Sequence, residues 1–412
     1  MTKKLVVIGA GPAGIMAAGK AAELGSEVLL LEKNSVLGKK LSISGKGRCN
    51  VTNIGDIREF IASFSDNGPF LYSSLQSFNN LMLIELLREL GVETKVERGG
   101  RVFPMSDKAS EIVDALKRYL IKNNVEINLS EAVQKIIIEK NRVYGVLTDK
   151  RMIKADRVIL CTGGKSYPGT GSTGDGYKWA QEAGHTIVKI RPSLVPLNIS
   201  EDWVKSLQGL SLKNVEVTLY EGKKKVHKEF GEMLFTHFGV SGPVILTISR
   251  IVTNKQSQPE LFEIGINLKP ALNEAELEKR IQRDFLKYQK KQIKNALNDL
   301  LPSKMIDVII EQSAIEPEKY VHQLTKNERK IIRQKLTDLR LTVEGPRPLK
   351  EAIITAGGVS LKEVDPKTME SKIVRGLFFA GEILDIDAHT GGYNLQAAFS
   401  TGCAAGIAAA LR

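Results

Sequence analysis

The sequence predicts an α/β fold whose parallel sheet is assembled from both ends of the chain and interrupted by a second domain. Three observations carry that prediction. An apolar run enters a glycine turn and an Ala-rich segment within the first 32 residues; strand ends break at glycine pairs near 163 and again after 355; and the composition changes between 192 and 349. The expected division is therefore 1–191 with 350–412 as one discontinuous domain and 192–349 as an insertion, strand-rich over 192–270 and helical over 271–339.

The first element rests on Leu5-Val-Val-Ile8, a run suited to a strand buried on both faces. It feeds Gly9-Ala10-Gly11-Pro12-Ala13-Gly14 and then a segment of high helix propensity. Each glycine has its own task. Gly9 allows the tight turn, Gly11 lets backbone N–H groups approach a pyrophosphate, and Gly14 lets the helix lie close to the strand. The helix N-terminus then faces an anion. The next apolar run, Val28-Leu29-Leu30-Leu31, ends in Glu32 eighteen residues beyond Gly14, near the spacing of about 20 at which an acid receives a ribose diol. Strand, turn, helix and acid together predict a dinucleotide, without deciding between FAD and NAD.

Composition bounds what else the chain can be. Its 412 residues are 42% hydrophobic and 26% charged, ordinary for a folded protein of two or three domains. The net charge of +12 suits anionic ligands. The basic residues are dispersed, which favours a solvated basic surface over a nucleic-acid groove. Cys49, Cys161 and Cys403 form no CxxC pair, so neither a redox dithiol nor a metal site is expected, and a reducing cytoplasm is the natural compartment. The most apolar stretch, Gly402 to Leu411, is too short to span a bilayer. Lys3-Lys4 and the apolar run after it superficially imitate a secretory signal, but the glycine turn inside that run favours nucleotide binding.

Residues 37–53 are expected to form an irregular loop whose glycines and donors, among them Lys40, Gly45, Gly47, Arg48, Cys49 and Asn50, serve phosphates, ribityl hydroxyls and ring edges. Helical patterning follows over 74–90 and 109–123, with Arg101 between them as a group able to meet an acidic substrate. Strands are expected from 130 to 159, and Arg157-Val-Ile-Leu-Cys161 runs into Thr162-Gly163-Gly164, a corner beside the same ligand. A second GxGxxG, Gly169 to Gly174, does not directly follow its strand and reads as a loop over the first site. In the insertion, 214–220 and 261–267 alternate as antiparallel strands, while Leu277, Ile281, Phe285 and Leu286 mark one helical face.

The end of the chain decides the cofactor. Gly376-Leu-Phe-Phe-Ala-Gly381-Glu382 is a strand whose end sets backbone and an acid near ribityl hydroxyls. The Gly391-Gly392 turn, followed by Tyr393-Asn394-Leu395 and an Ala-rich helix, aims N–H groups at an oxygen that becomes negative when a flavin is reduced. NAD has neither group, so FAD is expected.

Gly9-x-Gly11-x-x-Gly14 with Glu32, Ser44-Gly-Lys-Gly-Arg-Cys-Asn50, Gly100-Arg-Val-Phe-Pro104, Thr162-Gly-Gly164, Thr236-His-Phe-Gly-Val-Ser-Gly-Pro243, Thr355-Ala-Gly-Gly358 and Gly381-Glu to Gly391-Gly-Tyr-Asn394 occur in order over nearly the whole chain. In this it resembles the bacterial family of NAD(FAD)-utilising dehydrogenases, which includes aminoacetone oxidase and the bile-acid flavin reductase. More distantly, Thr173-Gly-Asp-Gly176 and Gly376 to Glu382 look like segments of succinate dehydrogenase and fumarate reductase flavoproteins. The histidine that often precedes the glycine pair there is replaced by Thr355-Ala356, so dicarboxylate chemistry is not transferred.

The resemblance implies noncovalent FAD in a glutathione-reductase-like Rossmann domain, with an inserted domain, part β-barrel-like and part helical, covering the flavin. The expected cofactor contacts are Gly9, Gly11, Pro12, Ala13, Gly14, Glu32, Lys33, Lys40, Gly45, Gly47, Arg48, Cys49, Asn50, Val133, Thr162, Gly163, Gly164, Gly381, Glu382, Gly391, Gly392, Tyr393, Asn394 and Leu395. The expected activity is hydride exchange between flavin N5 and a small organic substrate, with NAD(P)H as a transient reductant and Tyr393, His237 and Arg101 facing the substrate. An amine oxidase using O2 and an RNA-modifying flavoprotein are the alternatives.

Overall fold

The computed structural model describes residues 3–254 and 262–411. The chain divides into two compact units, Met1–Ser193 with Leu349–Arg412, and Leu194–Pro348.

The first unit is built on a five-stranded parallel sheet in the spatial order Leu377–Phe379, Arg157–Leu160, Lys4–Ile8, Glu27–Glu32, Glu126–Leu129. Its middle strands are apolar on both faces: Val6, Val7, Leu30, Ile159 and Phe378 are all buried, as a sheet covered on two sides requires. The strand Lys4–Ile8 is flanked by Glu27–Glu32 on one side and by Arg157–Leu160 on the other. The chain therefore winds away in opposite directions from its C-terminal end, and this switch point is where an open α/β sheet opens a crevice.

Two helices meet with almost no side chain between them. A Cβ on Gly402 or Gly406 of the helix Tyr393–Leu411 would overlap the carbonyl oxygens of Ala13 and Ala17 on the helix Pro12–Glu23. Backbone-to-backbone contact thus brings the last helix against the first glycine turn. Smaller sheets complete the unit: Val133–Glu139, Arg142–Thr148 and Met152–Lys154 form a meander, Thr52–Asn53 and Thr94–Glu97 flank Arg101–Pro104, and Ile187–Ser193 pairs with Ile354–Val359.

The structure differs from the sequence reading in two places here. Residues Lys39–Gly47 begin as a helix rather than a loop, and regular geometry is lost at Ser44, Gly45 and Lys46. The helix expected over 74–90 is two, Tyr72–Ser77 and Asn80–Glu89, because Asn79 is extended and its side chain caps the second by accepting from the Met82 N–H.

The second unit contains a closed six-stranded barrel: Leu197–Ile199, Gly239–Ser241, Lys224–Thr236, Ser211–Glu221, Phe262–Asn267 and Leu339–Pro346. Closure removes the exposed sheet edge. Val217, Leu219, Phe235, Ile264, Ile266 and Leu341 are buried in its core. The helices Glu274–Lys287, Ser303–Gln312 and Lys326–Thr337 supply the helical part, and a helix missed from the sequence, Pro243–Asn254, lies within the strand-rich part. Leu277, Ile281 and Phe285 are buried as expected, but Leu286 is 67% exposed, because adjacent helical positions lie about 100° apart. Leu261, assigned to a strand from the sequence, lies outside the described residues. No helix among the described residues is long and apolar enough to cross a membrane.

Candidate cofactor site

The three glycines of the first turn are glycine for different reasons. Gly9 has φ of +97°, and a Cβ there would lie 2.6 Å from the Cys161 carbonyl oxygen. At Gly14 a Cβ would overlap the Gly9 carbonyl. Gly11 has an ordinary φ of −81°, and a Cβ there would meet no protein atom within 4 Å. Packing of the protein on itself accounts for Gly9 and Gly14, whereas the space before Gly11 is open and wide enough to admit a ligand. Gly11 is also the N-cap of a helix with Pro12 at its start and no side-chain cap, so first-turn N–H groups are available to an anion.

Glu32 is buried beside this turn. Its Oε2 accepts the Ala10 N–H at 2.8 Å, and its Oε1 accepts the Asn34 N–H at 2.8 Å and Asn34 Nδ2 at 2.7 Å. Three donors fix the carboxylate at the strand end. The Glu131 N–H donates to the Glu32 carbonyl at 3.1 Å, which brings the strand beginning at Val133 alongside. The second GxGxxG is pinned to the same corner: Lys33 Nζ reaches Thr173 Oγ1 and Asp175 Oδ2, each at 2.6 Å, and Asn34 Nδ2 donates to the Thr170 carbonyl at 3.1 Å.

A polar network joins the loop ends farther along. Lys40 Nζ pairs with Glu382 Oε2 at 2.8 Å and reaches Ser166 Oγ at 2.8 Å. Glu382 Oε1 accepts the Thr355 N–H at 2.8 Å, and Thr355 Oγ1 accepts the N–H groups of Lys165 at 2.8 Å and Ser166 at 3.1 Å. Gly164 fits because a Cβ there would overlap Thr355 Oγ1. Gly163, at φ +71°, makes the corner. Close by in sequence, the buried Thr162 Oγ1 and Asn50 Oδ1 have no hydrogen-bond partner among the described residues. Such orphans cost about 1–3 kcal/mol each, a cost that a bound ligand able to pair with them would remove.

The C-terminal glycine turn is clamped by residues that sequence reasoning missed. Asn53 Nδ2 donates to the Gly391 carbonyl at 3.0 Å and to the Gly99 carbonyl at 2.9 Å. Thr52 Oγ1 donates to Gln396 Oε1 at 2.7 Å, and Gln396 Nε2 donates to the Phe78 carbonyl at 3.2 Å. A Cβ on Gly392 would overlap the Thr52 carbonyl. Asn394 folds the preceding loop by accepting the Ala388 N–H at 2.9 Å and donating to the Ala388 carbonyl at 3.1 Å, while Leu395 rests on the main core. Gly381, at φ +78°, abuts Ala13 and donates its N–H to Thr401 Oγ1 at 2.9 Å.

Other expected residues have protein partners. Arg48 pairs with Glu97 and Asp107 and lies 4.2 Å over the Phe103 ring. Cys49 is fully buried at φ +59°, and burial pushes its thiol up to about 12. Gly45 and Gly47 both take positive φ at the irregular end of their helix. Tyr393 meets Phe60 edge to face at 5.0 Å, and burial raises its pKa. Arg101 is half-buried, donates through Nε to the Arg98 carbonyl at 3.0 Å, and pairs backbone to backbone with Asn53. His237 belongs to the other unit, exposed on the turn between two barrel strands and edge-on to Phe238 at 4.9 Å. Asp385 was not singled out from sequence. Burial, with Asp387 nearby, holds it above the usual aspartate pKa against the opposing influence of Asn67 and Arg191.

The donor set fits a flavin dinucleotide: an open anion site at Gly11, a fixed acid at Glu32, orphaned polar atoms at Asn50 and Thr162, and a clamped N-terminal turn at Gly391-Gly392. A family model described as HI0933-like protein Rossmann domain matches residues 3–408. The chain is 30% identical over 411 residues to a 3-dehydro-bile acid delta(4,6)-reductase of Clostridium scindens, covering 99% of each. It is 32% identical over 408 residues to a ribosomal RNA dihydrouridine synthase of Escherichia coli, covering 98% of each. In fold it is similar to Escherichia coli quinol fumarate reductase, with a TM-score of 0.51 and 15% identity, over 100% of this chain and 70% of that one.

Proposed function

The chain belongs to the HI0933-like Rossmann-domain family and is a flavoprotein oxidoreductase, and we propose that it reduces a carbon–carbon double bond conjugated to a carbonyl, with uracil in RNA as the substrate. The observation that carries this reading is full-length likeness to two reductases whose names describe one kind of bond change. A 3-oxo steroid with delta(4,6) unsaturation and a uracil ring each present an alkene polarised by a carbonyl. Addition of hydride at the far carbon and a proton at the near one saturates either. RNA is preferred because two full-length relatives, each 32% identical, are ribosomal RNA dihydrouridine synthases, against one steroid reductase at 30%.

FAD, when bound, supplies the hydride, with NAD(P)H as the source of electrons. The amides after Gly11 would hold the pyrophosphate and Glu32 the ribose diol. Lys40 and Glu382 would share the ribityl region with Asn50 and Thr162. The amides after Gly391 would face the ring oxygen that gains charge on reduction. Tyr393 and Arg101 are the candidate substrate-facing groups of this unit.

The test is an anaerobic incubation of FAD-loaded protein and NADPH with unmodified ribosomal RNA and, separately, a 3-oxo-delta(4,6) bile acid, read by mass spectrometry. Gain of two hydrogens on uridine supports the reading. Saturation of the steroid alone keeps the bond change and replaces the substrate. Bleaching of the flavin by amines, with peroxide formed in air and neither substrate reduced, would assign the amine oxidase class instead.

A further inference from the structure

The strand Arg157–Leu160 leads to the Thr162 corner at one end, and at about 3.3 Å per residue its first residue lies about 16 Å away, at the other end of the strand. A cavity of about 530 Å³ opens there, walled by Arg157, Lys372, Arg375, Glu370, Asn141 and the apolar Ile373. Arg157 is only 4% exposed. Its Nη1 donates to the Asp156 carbonyl at 2.8 Å, but its buried Nε has no partner among the described residues. An unsatisfied donor on a buried cation is costly and calls for an acceptor.

The surroundings add positive charge. The Val143 N–H donates to the Arg375 carbonyl at 3.0 Å and the Arg375 N–H to the Asn141 carbonyl at 2.9 Å, which sets Arg142 and Arg375 side by side. Burial first, then the charges of Arg142 and Arg375, lower the pKa of Arg157, with Glu370 and Asp156 opposing. Glu370 is the carboxylate in the wall, and it accepts the Gly376 N–H at 2.9 Å. Lys372, exposed in the wall, donates to the Lys362 carbonyl at 2.9 Å. Three cations against one carboxylate leave an excess matched to a dianion, and guanidinium forks match phosphoryl oxygens.

We infer that this cavity is a phosphoryl-binding site, separate from the glycine turns and independent of the redox reading. The phosphoryl group belongs either to an RNA backbone or to a free phosphorylated molecule. The site is tested on the FAD-saturated full chain by calorimetric titration with inorganic pyrophosphate and by anisotropy of a labelled single-stranded RNA across a salt series. The wild type, Arg157→Gln and Arg375→Glu are compared. Arg375 is exposed, so its variant keeps the test decisive should Arg157→Gln fail to fold.

The expected result is pyrophosphate binding by the wild type, weakened at least about 10-fold in Arg375→Glu with flavin content unchanged. If RNA affinity falls too and its salt slope drops by about one, the ligand is RNA. If only pyrophosphate binding falls, the ligand is a free phosphorylated molecule. Pyrophosphate that does not bind, or that binds Arg375→Glu as tightly as the wild type, overturns the inference.

Discussion

Replacing Gly11 and Gly14 by alanine separates a glycine kept for a ligand from one kept for the fold. Gly11 has a φ that alanine adopts freely, and its Cβ would meet nothing within 4 Å. Alanine is a poorer N-cap than glycine by up to about 1 kcal/mol. It recovers about 0.4–1 kcal/mol by restricting the unfolded chain. The cofactor-free Gly11→Ala variant should therefore melt within about 4 °C of wild type, at roughly 2–4 °C per kcal/mol for a unit of this size. The added methyl stands where phosphate oxygens must approach the helix amides. Losing one charge-assisted hydrogen bond costs about 1.5–3 kcal/mol, so FAD binding should weaken about 10- to 150-fold. Gly14→Ala behaves oppositely, since its Cβ overlaps the Gly9 carbonyl and sits 3.2 Å from Cys161 Cβ. It should lower the melting temperature by about 5 °C or more, or leave the protein insoluble. Flavin-fluorescence quenching on titration of stripped protein, beside melts without FAD, reads both effects. Gly11→Ala that binds FAD within about two-fold of wild type would refute the assignment of that space to a phosphate.

The pair Lys40–Glu382 gives a second test: Glu382→Gln loses the charge that faces Lys40 and should weaken FAD about 10-fold with the circular dichroism spectrum unchanged. Gly402→Ala drives a Cβ into the Ala13 carbonyl; it should cost about 1–3 kcal/mol and lower the melting temperature, and an unchanged melt would contradict the close helix contact. Burial raises the Asp385 pKa, so the folded state retains a proton that the unfolded chain releases near pH 4, and stability falls as pH rises from there through the folded value. Asp385→Asn should accordingly melt above wild type at neutral pH and level with it near pH 4, whereas equal melting at both pH values rejects the shift. Burial pushes the thiols of Cys49 to about 12 and Cys403 to about 11 and raises that of Cys161 as well. Folded protein should then resist a thiol reagent and release three equivalents of colour only on unfolding, and rapid labelling of the native state would count against their burial.

What could be read along the chain was whatever a few neighbouring residues decide. Leu5–Ile8, Gly9, Gly11, Gly14 and Glu32 impose strand, turn, helix and acid through dihedral freedom, apolar runs and spacing alone, and their placement in the structure follows that reading. The irregularity of 37–53 was legible in its glycines, but the helical turns at Lys39 were not, because glycine and serine propensities mask a segment held by packing. Leu286 was misplaced because a run of apolar residues does not say which of two neighbours faces inward.

By itself, then, the sequence determined a strand, glycine turn and helix at one end of the chain and a second glycine-rich turn before a helix at the other, and it pointed to a dinucleotide and a flavin as their ligand. Only the tertiary structure decided which distant residues meet: Asn53 on Gly391, 338 positions apart, Lys40 on Glu382, 342 apart, and the buried Arg157 with Lys372 and Arg375 in a cavity at the N-terminal end of its strand. The reason is physical. Periodicity and turn chemistry act over a few residues, whereas a hydrogen bond between remote side chains exists only once sheet order and the glycine-lined contact of two helices have brought their backbones together.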